Sequence, residues 1–262
     1  NRASGTVTVS YVVMNDIHAT GAAIFSATNS TDLGNNNGWN FTSAGIRDLY
    51  WVGNGGSWTD GNHWALSRGG ATVVCAPGPF DNVHFDANSF SQTGQVVSIT
   101  VNNAFCRDIE WTGATNTPTF SLNDLKKLRV FGSLRFIAAM NSNLDGLLSF
   151  EANAVGKTIA TAGQNFKAST FFNGNGGGWT LQDNFNTDSS LVLERGTLNT
   201  NGRTINAFGF LSPQSAQRTL TMGSSVFNLS GETAWSVTGA SGFTLNSGTS
   251  VINCSNDYAV FS

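Results

Sequence analysis

LVLERGTLNTNGRTI (191–205), RTLTMGSSVFNLSG (218–231) and GFTLNSGTSVINCS (242–255) decide the fold. Apolar residues recur at every second position, as in Leu191 and Leu193, Phe227 and Leu229, or Phe243 and Leu245. Successive side chains of a strand point to opposite faces, so this alternation is that of half-buried strands. Gly and Asn interrupt it after only a few residues, too soon for a helix. The same text runs upstream through KLRVFGSLRF (127–136), LLSFEA (147–152), KTIATAG (157–163) and WTLQDNF (179–185). Strands this short bury their apolar faces by stacking one coil on the next.

Internal similarity gives the coil length. GSLRF (132–136) aligns with GTLNT (196–200), and KTIATAG (157–163) with RTINAFG (203–209). Equivalent strands then recur about every 20–25 residues, within the range of β-helices. The expected fold is all-β: a right-handed parallel β-helix with irregular coils, its hand following from the right-handed crossover preference of parallel strands. A pair of β-sandwich modules is the alternative, with 48–113 the stretch best suited to one.

Three zones divide the chain. Residues 1–47 hold two strand-like runs and the polar stretch NSTDLGNNNGWNF, and read as a junction. Residues 48–113 form a Trp-rich module expected to cap or join the coils, and 114–262 form the repetitive array. The chain starts and stops within strand-like text and reads as a piece of a longer protein.

Charged residues make up 11% of the 262, against about 25% in an average protein. Asn, Ser, Thr and Gly must therefore supply the polar surface, as in many extracellular β proteins. A net charge of −3 gives no electrostatic case for nucleic acid. No apolar run approaches the roughly 18 residues of a membrane span, so membrane insertion is not expected.

The ordered set GAAIFSATNSTDLGNNNGWNF (21–41), RDLYWVGNGGSWTDGNHWALSRGGA (47–71) and PGPFDNVHFDANSF (77–90) resembles large repeat-containing surface proteins of Bacteroidota. These adhesin-like proteins leave the cell by the type IX secretion route. GKTIATAGQNFKASTFFNGNGGGWTLQDNF (156–185) resembles the body of the same repeat. The resemblance implies an extracellular, cell-surface location, tandem repetition and adhesion. Residues 1–47 would then be the tail of a preceding repeat, and the partners would be neighbouring repeats, a surface polysaccharide or another cell surface. It supplies no catalytic residues, and no enzymatic activity is expected.

Several residue groups are candidates for chemistry. Trp51, Trp58 and Trp64 in their Gly-rich setting form either an aromatic platform for sugar rings or a cap over the last apolar layer. Trp111, Trp179 and Trp235 fall in strand alternation and read as core. Asp81, Asp86 and Asn88 could offer oxygen ligands to a structural Ca²⁺, the one cofactor suggested; turn-capping Asx side chains are the other reading. Cys75 and Cys106, 31 positions apart, could close a disulfide loop contributing roughly 3–4 kcal/mol, or stay as buried thiols. Cys254, in VINCS, reads as a small core residue. Glu151 and Glu194 fall about two coils apart, roughly 10 Å at ~4.8 Å per coil, the upper edge of an inverting glycosidase pair. Arg195 beside Glu194 favours a surface ion pair instead. Thr and Asn at alternate positions in TLNTNGRTIN (197–206) suggest side-chain ladders along the stack.

Overall fold

The computed structural model describes residues 1–10, 12–32, 34–42, 44–73 and 75–262. The described residues form a β-solenoid of stacked parallel strands, about 11 turns in all. Among the described residues helix is confined to two single 3-10 turns, Gly61–His63 and Ala240–Gly242. The chain divides into two compact units, Asn1–Arg47 and Asp48–Ser262.

Within the smaller unit, Thr6–Ser10, Ile24–Thr28 and Trp39–Thr42 pair in parallel, and Val13–Met14 pairs with Thr31–Asp32. Thr6 lies beside Ile24 and Val13 beside Thr31, a step of 18 residues. Its small core joins Met14, Phe25 and Ala27, with Trp39 set edge-on to Phe25 at 5.3 Å.

The larger unit has three faces per coil. The first is a nine-stranded ladder from Gly56–Ser57 through Val96–Ile99, Thr119–Leu122, Asn141–Leu144, Asn165–Phe166, Phe185–Thr187, Thr204–Ala207 and Val226–Leu229 to Val251–Cys254. The second starts at Asn103–Cys106, passes through Lys127–Val130 and Leu147–Phe150, and ends at Thr233–Val237 and Val260–Phe261. The third joins Asp81–His84, Ile109–Glu110, Leu134–Arg135 and Lys157–Ala160, and finishes with Arg218–Thr221 and Phe243–Asn246. Two long strands, Thr170–Leu181 and Ser190–Asn199, turn the corner between the second and third faces. Their register slips between Asn173 and Gly178, where Gly174 and Gly177 lie against Trp179 and the Ala152 carbonyl, leaving no room for a Cβ.

Partners in adjacent coils are 19 to 27 residues apart once the first coil is passed, as Thr119 beside Asn141 and Ile109 beside Leu134. Inward columns are mostly apolar, as Val97 over Phe120, Leu122 over Leu144 and Ile205 over Phe227, with a few polar members such as Thr187 beside Phe166. Burial is thus supplied by the neighbouring coil, and each apolar side chain is worth roughly 1.5–3 kcal/mol there.

The first coils decide against the sandwich alternative. Ser57 pairs with Ser98 and Ser98 with Ser121, while Val83 pairs with Ile109 and Ile109 with Leu134. Residues 48–113 therefore share their ladders with 114–262. Of the internal alignments, GSLRF and GTLNT do lie on one face, the third. KTIATAG and RTINAFG do not: Lys157–Ala160 is on the third face and Thr204–Ala207 on the first. Alternation looks the same on every face, so sequence similarity alone matched strands from different sides.

Candidate functional site

The tryptophans are interior. Trp51, Trp58 and Trp64 are fully buried, and Tyr50–Trp51 is paired antiparallel with Trp64–Ala65 across the head of the stack. Trp64 meets Trp51 edge-on at 5.0 Å and Trp58 at 5.1 Å. Phe85 stacks on Trp111 at 3.9 Å beneath them. Two of the three indole N–H groups are satisfied locally, Trp64 Nε1 donating to the Trp58 carbonyl at 2.8 Å and Trp51 Nε1 to that of Asn54 at 2.5 Å, while that of Trp58 is buried without a hydrogen-bond partner. No ring face is left for a sugar, so the cap reading replaces the platform. Trp111, Trp179 and Trp235 are core.

Asp81, Asp86 and Asn88 are tied into local hydrogen bonds. One Asp81 oxygen accepts the Gly78 N–H at 2.8 Å, and one Asp86 oxygen accepts the Asn88 N–H at 2.8 Å. The other Asp86 oxygen faces Arg68 at 3.7 Å. Asp86 thus closes an Asx turn, while Asp81 reaches back to the loop before it. Among the described residues no group of three or more His, Cys, Asp or Glu is placed to hold a metal.

Cys75 and Cys106 are free thiols and are not joined. Cys106 points into the core beside Val130, and burial, aided by Asp108 and Asp81, pushes its thiol well above the usual range. Cys254 departs from expectation differently. It occupies an inward position beside Leu229 yet is exposed, because it lies in the last coil.

Glu151 and Glu194 stand two coils apart as expected, following Phe150 and Leu193 in a column that passes through Phe172. Glu151 is nonetheless committed. Arg129 Nε donates to both its oxygens at 2.9 and 3.0 Å, a second guanidinium nitrogen holds it as well, and the Ser149 hydroxyl donates at 2.7 Å. Both carboxylate oxygens are thus engaged by neighbouring side chains. His84 Nε2 lies 2.8 Å from Asp48, and its ring stacks on Tyr50 at 4.8 Å. Hydrogen bonds from His84 and Asn82 hold the Asp48 carboxyl below its ordinary 3.8.

What sequence reasoning located only in part is the polar surface of the first face. Asn186, Asn206, Asn228 and Asn253 stand in register on its outward side. Each donates to the one before it: Asn206 to Asn186 at 2.7 Å, Asn228 to Asn206 at 2.8 Å, Asn253 to Asn228 at 2.9 Å. Only Asn206 lies in the stretch that suggested ladders. The others stand as the outward residue between two inward ones in F-N-T (185–187), F-N-L (227–229) and I-N-C (252–254). A second uncharged column, Thr158, Thr180, Asn199, Thr221 and Asn246, runs along the third face.

Over the Asn column lies a groove of about 620 Å³, flanked by Asp188, Ser230 and Ser255. Phe208 follows Ala207 at its edge and is 45% exposed. Its ring lies on Gly231, where any Cβ would collide with it. Among the described residues no helix is long and apolar enough to cross a membrane. Comparison with protein-family models, with curated proteins and with solved structures finds no match.

Proposed function

We propose that this chain is a non-catalytic structural and adhesive repeat of a large bacterial surface protein, a stiff spacer that presents weak contacts many times over. The observation that carries this reading is the continuous apolar core of the larger unit, wrapped in uncharged Asn and Thr ladders. A nine-stranded ladder at ~4.8 Å per coil gives that unit an axial length of roughly 40 Å. Parallel coils resist bending because every backbone hydrogen bond of a ladder runs along the stack. The low charge and the resemblance of residues 47–71 to Bacteroidota repeats favour an extracellular setting, export by the type IX route and tandem neighbours as first partners.

Tandem display would turn weak contacts into firm attachment through effective concentration. The test compares one soluble copy with many copies on a bead, each challenged with polysaccharide-coated surfaces. Retention of the beads alone, with no sugar released, is the expected result. Release of reducing sugars that Glu151→Gln and Glu194→Gln abolish would replace the adhesin with an enzyme.

A further inference from the structure

We propose that the groove lined by Asn206, Asn228 and Asn253, whose row Asn186 continues just beyond the lining, is a binding site for a linear, uncharged polysaccharide lying along the solenoid axis. The inference rests on the adhesive reading only in giving that adhesion a site.

The chemistry begins with the carboxamide. Each Asn has two N–H donors and an oxygen with two lone pairs, and the ladder uses one donor and one acceptor per interior residue. A second N–H and a second lone pair remain at each step, repeated at the coil spacing. Their side chains are already fixed by their neighbours, so a ligand finds them ordered and little rotamer entropy is lost on binding. Such a row of alternating donors and acceptors complements hydroxyl groups, which are both.

The surroundings narrow the class. The groove lining holds Asp188 and no Lys or Arg, so polyanions such as nucleic acids or polyuronates meet no counter-charge. Three of the four floor strands are paired on both sides, so an extended peptide finds a free edge only at Val251–Cys254 and none along the rest of the Asn row. Phe208 offers what a pyranose ring needs besides hydroxyl partners, an exposed apolar surface at the groove edge. Ser230 and Ser255 extend the hydroxyl-matching rim.

The experiment is affinity electrophoresis and calorimetry of the whole chain with a soluble neutral β-glucan and a galactomannan, and with polygalacturonate as the charged counterpart. At least one neutral polymer is expected to bind and polygalacturonate is not. Asn206→Ala with Asn228→Ala should weaken binding about tenfold, the loss of one or two hydrogen bonds. Phe208→Ser should weaken it by a similar factor, while Arg135→Ala on the third face should leave it unchanged. Thermal melting of each variant establishes that it is folded. Neutral-polymer binding that survives both groove variants would overturn this site and leave adhesion standing elsewhere. Failure of every neutral polymer to bind the folded chain, or preference for polygalacturonate, would also overturn it; the bead assay on intact surfaces judges the adhesive reading separately.

Discussion

At its first coils the Asp48–Ser262 unit folds Trp51, Trp58 and Trp64 over the stack, and all three are buried. At its last coil, Leu245 and Phe261 are 44% and 56% exposed, although they continue the columns of Leu220 and Trp235, which are buried. The strand text at the two ends is alike. What differs is that at one end an antiparallel pair, Tyr50–Trp51 with Trp64–Ala65, crosses the head of the stack and covers its edge. Burial in a solenoid belongs to a pair of coils, and an inward-facing position in the final coil is inward in register only.

Thiol chemistry should show the largest contrast. Cys106 and Cys254 both face inward, one between coils and one in the last. Ellman titration should modify Cys254 at once, and Cys106 slower by roughly three orders of magnitude, since its reaction waits on opening of the core. Equal rates would dissolve the distinction between the two coils.

Truncation of the cap comes next. Trp64→Ala should cost about 3–5 kcal/mol in denaturant unfolding, the range for a large buried aromatic. Phe261→Ala at the open end should cost no more than ~1 kcal/mol. Similar losses at both ends would mean that the last coil is covered in solution.

Arg218 sharpens the comparison, because it fastens the open end. Its buried guanidinium donates to the Ser212 hydroxyl at 2.5 Å and carbonyl at 3.0 Å, and to the carbonyls of Ala216 at 3.0 Å, Thr238 at 2.8 Å and Gly239 at 3.3 Å. It also lies over the Phe243 ring at 5.2 Å. Burial lowers its pKa below the usual arginine range, and no carboxylate is among its hydrogen-bond partners. Arg218→Ala should cost about 2–3 kcal/mol by leaving buried carbonyls unpaired. Hydrogen exchange should localise the loosening to residues 212–217 and 238–246 and leave the tryptophan cap protected.

Exposed apolar residues on an edge invite association. Leu245→Lys with Phe261→Lys should reduce concentration-dependent light scattering while moving stability by only about 0.5 kcal/mol. Scattering unchanged by these substitutions would place self-association elsewhere.

The smallest effect is electrostatic and sits near the cap. Because the folded-state pKa of Asp48 is depressed, its contribution is complete above 3.8 and is lost as the pH falls through the lower folded value. Asp48→Asn should therefore lose this small contribution at neutrality, flatten the stability profile below pH 3.8 and converge with the parent in acid. A difference that grows as the pH falls would contradict this.

Legibility followed physical scale. Alternation in LVLERGTLNTNGRTI and turn residues at short intervals are local, and they determined strands, coil length and a parallel stack. The cap reading of the tryptophans was legible because Gly-rich text with several Trp must cover something. The disulfide was not, because spacing says nothing about which way two side chains point; Cys106 turned inward beside Val130. The Asn column was half visible, since Asn206 is near in sequence to other Asn and Thr residues, while Asn186, Asn228 and Asn253 are each a coil away.

By itself the sequence determined that this chain is all-β, that its strands are short and stacked, and that amides and hydroxyls would stand where other proteins place charge. Only the tertiary structure decided which residues share a column, that Glu151 is spent on Arg129, and that four asparagines meet in a row beside Phe208. The reason is register. Alternation fixes inward or outward within one strand, but a column is made by residues some 20 positions apart. Their alignment depends on the summed length of three turns per coil, and those turns vary from coil to coil.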